Sequence, residues 1–285
     1  MIKKIIFLLL FCCLLVSAFC QEKDLNKVAD SISREGKALF RSEFASWYGT
    51  DVFAAKCPAR RATAGGYISY DDGHNLVNVF YDNASEPKVL STITFGYDLD
   101  DKKYSLDTTD REFTPTEKEL YIMRKHAVAR INKDTTFKTY SNAELNPVPI
   151  ILNGARKVYV LTGTNANGVV LFGNDYRISF DKNDNITSVK KMHSSLIVSE
   201  IGADTAKIQI AGMHTHLPKY SDFMTATDIC TLMLYEKFTT WHQYTVISKK
   251  YASVWDCKTN TLTIYTVEAW EKKDLTRDAL ENKNH

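Results

Sequence analysis

Met213-His-Thr-His-Leu-Pro-Lys-Tyr-Ser-Asp-Phe-Met-Thr-Ala-Thr-Asp228 is the stretch on which the reading of this chain turns. Its first part, His214-Thr-His216, places two imidazoles two residues apart. On an extended segment such residues project to the same face. Its last part, Thr225-Ala-Thr-Asp228, is a helix start signal, with a hydroxyl able to cap and an acid in the first turn. Two histidines and a carboxylate are also donors that a zinc ion accepts, and three protein ligands leave one position for water. The same residues have a plainer reading, as a strand that runs into a capped helix.

The surroundings extend the strand–loop–helix pattern in both directions. Lys207 to Met213 reads as a strand leading into the histidines. Ile229, Leu232, Met233 and Leu234 form the apolar side of a helix running from Thr225 to about Phe238. Tyr244 to Ser248, Ser253 to Asp256 and Leu262 to Thr266 then form a closing meander. Upstream, strand-like runs at Val148–Leu152, Lys157–Thr162, Gly168–Phe172, Tyr176–Phe180 and Ile186–Lys190 are separated by Asn-Gly and Asn-Asp turn chemistry.

The first half reads as a helix, an antiparallel sheet and a second helix. Leu25, Val28, Ile32 and Leu39 lie on one helical stripe, which Phe44 and Trp47 extend toward Gly49. Four strands follow, near 66–70, 76–81, 89–97 and 104–106. The second helix starts at Thr114-Pro-Thr-Glu117, a capping box with proline at the first helical position. The fold class is α+β. An N-terminal helix and antiparallel-sheet unit covers 21–145, a second domain covers 146–270, and 271–285 is a charged tail. Asn142 to Pro149, with two prolines, is the expected boundary.

Residues 1–20 carry a targeting pattern: Lys3 and Lys4, an apolar run from Ile5 to Val16, and Ser17-Ala-Phe-Cys20. This signal peptide reading implies cleavage before Gln21 and export to the periplasm, the cell surface or the medium of a bacterium. A lipid anchor on Cys20 is the alternative, disfavoured because Phe19 is not small. No later segment is apolar enough to span a membrane. Removal of residues 1–20 takes two lysines from 36 basic residues and leaves 34 against 34 acidic ones. A neutral chain offers no electrostatic case for a nucleic-acid or membrane-surface partner. Cys57, Cys230 and Cys257 remain. They fit either one Cys230–Cys257 disulfide with a leftover thiol or three small buried apolar residues.

His214-x-His216, a loop and Thr225-x-x-Asp228 on a helix resemble the JAB/MPN (JAMM) metalloprotease signature, His-x-His-Pro followed by Ser-x-x-Asp. The resemblance covers about 150–267 and implies a mixed β-sheet domain with a helix after the His-x-His strand. It makes His214, His216 and Asp228 zinc ligands and gives Thr225 the oxyanion-binding role of the family's serine. It implies a zinc-dependent hydrolase of amide or peptide bonds, acting on a peptide or cell-envelope substrate. Leu217 departs from the family's proline. The family's glutamate base has no counterpart either, because no Glu lies between Glu144 and Glu200, and Asp175 is the nearest acid. A non-catalytic binding or assembly module that keeps the fold is therefore the alternative. His193, in Met192-His-Ser-Ser, and His242, in Trp241-His-Gln-Tyr, are candidate extra ligands whose plainer reading is as ordinary polar contacts.

Overall fold

A computed structural model of the chain describes residues 2–201 and 209–273, with side chains from residue 24 onward. The signal-peptide residues, part of the 207–213 strand and most of the charged tail lie outside that description in whole or part. Among the described residues, no helix is long and apolar enough to cross a membrane. The architecture is α+β, and its contacts divide the chain into two units, Met1–Arg34 with Ile210–Met224 and Trp241–His285, and Glu35–Gln209 with Thr225–Thr240.

The larger unit holds two four-stranded antiparallel sheets. In the first, β1 (Ala64–Asp71), β2 (Leu76–Asp82), β3 (Val89–Phe95) and β4 (Tyr104–Asp107) lie side by side in chain order. Helix α1 (Ile2–Lys56) sends Leu39, Phe40, Phe44 and Phe53 into a core with Phe80 and Phe95. The Phe53 and Phe80 rings stack at 3.8 Å. The helix continues through Gly49, which the sequence suggests as a break. A Cβ at that position would lie 2.7 Å from Asn78, so the glycine serves close packing rather than termination. Helix α2 (Pro115–Ile131) begins with the expected capping box at Thr114 and Glu117. It packs Met123 and Ala127 against Val158, Val160 and Ile178.

The second sheet has the order β5-β6-β8-β9, from β5 (Ala143–Leu152), β6 (Ala155–Thr164), β8 (Tyr176–Phe180) and β9 (Ile186–Lys191). Pro147 and Pro149 lie inside β5, opposite Val160 and Val158. A proline cannot donate to a ladder, but β5 is an edge strand. Two prolines spaced by two residues can both turn their nitrogens to its open side. β7 (Val169–Gly173) pairs with β10 (Leu196–Glu200), a strand with no counterpart in the sequence reading. Helix α3 (Ala226–Tyr235) adds Ala226 and Cys230 to the core that α1 fills.

The smaller unit is built on one mixed sheet in the order β11-β12-β13-β14. β11 (Ala211–Thr215) runs parallel to β12 (Gln243–Ile247), and β13 (Tyr251–Asp256) and β14 (Thr261–Thr266) continue antiparallel. Trp255 and Ile264 are buried on this sheet, as is Cys257 just beyond β13.

The carboxylate of Glu117 is wholly buried and takes a bidentate pair from Arg111 at 2.7 Å, the Thr114 backbone N–H at 2.8 Å and the Tyr70 hydroxyl at 3.0 Å. Burial alone would push its pKa up, but the Arg111 and Thr114 donors outweigh that and hold it below the ordinary glutamate value. Glu117→Gln is expected to cost about 2–3 kcal/mol, less than a fully buried pair because the Arg111 side chain keeps 31% of its surface in solvent. A lowered carboxylate pKa contributes stability above the unfolded-state value, and the contribution fades as pH falls through the folded one. Urea midpoints should therefore differ most between wild type and variant above about pH 5 and converge in acid.

Candidate metal centre

β11 is half-exposed, and its alternation sorts its side chains. Met213, Thr215 and Leu217 face solvent, whereas His214 and His216 are 7% and 5% exposed. The two Nε2 atoms lie 2.9 Å apart. His216 Nδ1 is 2.9 Å from the Phe223 carbonyl oxygen, which only accepts, so that nitrogen carries the proton and Nε2 keeps its lone pair. His214 Nδ1 lies 3.2 Å from the Tyr244 hydroxyl on β12. Each ring is thus oriented through Nδ1, with Nε2 turned inward, the outer-contact arrangement that orients histidine ligands.

Asp228 stands in the first turn of α3 and is 1% exposed. Thr225 caps the helix. Its backbone N–H and its hydroxyl both donate to Asp228 Oδ2 at 2.8 Å, and its hydroxyl accepts the Asp228 N–H at 3.2 Å. That box occupies Oδ2 and leaves Oδ1, which lies 3.0 Å from His193 Nε2. The helix-cap reading of Thr-x-x-Asp and its donor reading are therefore both satisfied, one by each oxygen.

His193 is 2% exposed, with Nδ1 3.5 Å from Asp175 Oδ2. The chain brings these two together through backbone pairing. The Met192 N–H donates to the Asp175 carbonyl at 2.8 Å and the Asn174 N–H to that of Ser195 at 3.1 Å. Gly173 makes the approach possible. Its φ is +78°, and a Cβ there would lie 2.3 Å from the Ser195 oxygen. Asp175 also takes the Thr162 N–H at 3.3 Å. Burial pushes the Asp175 carboxyl up to about 7, against the pull of His193 and Thr227. Burial works against protonation of His193, but Asp228 first and then Asp175 outweigh it and raise its pKa.

His193 and Asp228 in the larger unit and His214 and His216 in the smaller are all buried, and as a group they could hold a metal ion. The donors suit one of borderline softness, since imidazole and carboxylate both bind zinc. The Nε2 atoms, 2.9 Å apart, are at hydrogen-bond distance, and two corners of a tetrahedral shell with bonds of about 2.0–2.1 Å lie about 3.3 Å apart, so the rings would part by a few tenths of an ångström to hold an ion. Of the sequence candidates, His214, His216 and Asp228 belong to this group, with Thr225 bonded to Asp228. His242 is exposed, and so are Glu144 on β5 and Glu200 on β10. His193 is a secondary candidate in the sequence, because it is the pairing of Gly173–Asp175 with Met192–Ser195 that sets it beside Asp175. Cys57, Cys230 and Cys257 are buried thiols, and burial raises the Cys230 pKa well above its ordinary value.

Comparison with protein-family models, with curated proteins and with solved structures gave no match. The buried histidine–aspartate group and the mixed sheet are compatible with a JAMM-like motif, and that is the extent of the likeness.

Thr225→Ala removes the cap and the hydroxyl donor to a buried carboxylate, so a loss near the top of the 0.5–2 kcal/mol range for helix caps, about 2 kcal/mol, is expected. Thr225→Ser should recover most of it in chemical denaturation, because only the hydroxyl is required.

Proposed function

We propose that this chain is a zinc-dependent hydrolase of amide bonds in which His214, His216 and Asp228 hold the ion and the Asp175–His193 pair handles protons. The reading is carried by one observation, the buried Asp175–His193–Asp228 chain, with contacts of 3.5 and 3.0 Å. It provides a base where the sequence lacks the glutamate that the JAMM resemblance calls for. A zinc ion in such a site supplies Lewis acidity, polarising water and the substrate carbonyl.

The residues divide the remaining work. His193 Nε2 takes a proton from the attacking water and returns it to the leaving amine, a role worth about 10²–10⁴-fold in rate. Asp175 sets the orientation of the His193 ring and favours its protonated form. Thr225 directs its hydroxyl to Asp228 Oδ2, so its contribution is to hold that carboxylate, and the oxyanion role falls to it only if that bond is released. Export through the signal peptide would put a peptide or cell-envelope amide within reach.

A second reading is favoured by the burial of all four donors. If His193 is itself a ligand, four protein groups close a tetrahedral shell, as in structural zinc sites, and the chain is a binding or assembly module.

Elemental analysis of tag-free protein separates these readings. About one zinc per chain is expected in wild type and none in His214→Ala. Under the hydrolase reading, His193→Gln keeps its zinc and loses turnover of a peptide library by 10²-fold or more. Loss of zinc together with His193 would favour the closed site. Absence of zinc, and of any other transition metal, from wild type refutes both.

A further inference from the structure

The larger unit contains a second feature that neither reading uses, a recess of about 590 Å³. Its size falls within the range of small-molecule sites, roughly 300–1,000 Å³. One wall is a single face of α1, since Glu43, Trp47 and Asp51 recur at four-residue spacing. β5, β6, the 165–168 loop and the end of α3 supply the rest.

Two properties of the lining define what would fit. Three carboxylates, Glu43, Asp51 and Glu144, line the recess, and among the described residues no lysine, arginine or histidine lines it. Trp47, Tyr235 and Phe238 also line it and form an aromatic cluster. Trp47 and Phe238 stack at 6.2 Å with an 18° tilt, and the Tyr235 ring meets Trp47 edge-on at 5.6 Å. Trp47 is 37% exposed and Phe238 55%, so this cluster is not spent on the core. Carboxylates beside partly exposed aromatic rings are an environment in which an organic ammonium is bound, by charge and by cation–π attraction.

Glu43 is the best-ordered of the three acids. Asn146 Nδ2 donates to its Oε2 at 2.9 Å and the Ser46 hydroxyl to its Oε1 at 3.3 Å. Asn146 Oδ1 in turn accepts the Tyr67 hydroxyl at 3.3 Å, and the Arg124 guanidinium lies 5.1 Å over the Tyr67 ring. Burial outweighs these donors and Arg124, and pushes the Glu43 carboxyl up to about 7. A cation entering the recess would supply the counter-charge that burial leaves in demand.

We infer that this recess, walled by Trp47, Tyr235 and Phe238 and lined by Glu43, Asp51 and Glu144, binds a small organic cation, an ammonium group on an apolar body. The site is independent of the zinc reading and would stand if that reading failed.

Phenethylammonium is a suitable probe, with 2-phenylethanol as its uncharged counterpart, each titrated calorimetrically into the full chain. The ammonium should bind with a submillimolar dissociation constant, at least tenfold tighter than the alcohol. Trp47→Ala should weaken it by about tenfold, within what cation–π pairs contribute. Glu43→Gln should weaken the ammonium while leaving the alcohol unchanged. Phe238→Ala serves as a second aromatic variant at a more exposed position, and thermal melts report whether each variant is folded. Equal binding of ammonium and alcohol, no binding of the ammonium at millimolar concentration, or unchanged affinity in folded Trp47→Ala and Phe238→Ala would each overturn the inference.

Discussion

The carboxylate of Asp228 is the constraint on which the candidate centre depends. A charged group buried to 1% exposure costs several kcal/mol in lost hydration and persists only when its lone pairs are occupied. Thr225 occupies Oδ2 twice, through its amide and its hydroxyl, and His193 faces Oδ1. Charge-assisted hydrogen bonds of this kind contribute about 1.5–3 kcal/mol each, enough to offset the burial. A helix cap and a metal-donor position are thus the same residue seen from two oxygens. This explains why a Thr-x-x-Asp motif alone cannot separate the two roles.

From that carboxylate a polar chain runs through the larger unit. Asp228 contacts His193, and His193 faces Asp175. Asp175 takes the Thr162 N–H, and on the far side of Asp228 the Thr225 hydroxyl lies 2.9 Å from that of Thr227. Two carboxylates flank one imidazole, and burial acts on all three. Environments that pull neighbouring titratable groups in this way occur in acid–base sites, although structural networks produce them as well. The histidine pair in the smaller unit has a simpler logic. Each Nδ1 is engaged, by Phe223 or Tyr244, and each Nε2 is left to meet the other.

Much of the secondary structure was legible because its signals are local. The capping box at Thr114 and Glu117 starts α2, and Tyr176–Phe180 is β8 as periodicity and turn residues suggest. Departures occur where tertiary contacts override a local cue. Gly49 reads as a break but lets α1 pass Asn78. Pro147 and Pro149 occupy a sheet edge, where a missing donor costs little. β10 carries no strong signal of its own and is defined by its pairing with β7.

For the candidate site, the division follows sequence distance. His214, His216, Thr225 and Asp228 lie within fifteen residues, and strand alternation with helix capping was enough to set each pair side by side. His193 and Asp175 are separated from one another by a hairpin, and neither has a sequence neighbour that marks it. Their contact exists because β8 and β9 pair in one register and Gly173 admits a close backbone approach. The sequence by itself determined the donor types and their local geometry. Which imidazole and which acid stand beside Asp228 was decided by long-range strand pairing, because register between strands is fixed by the burial of whole faces and not by the residues that end up in the site.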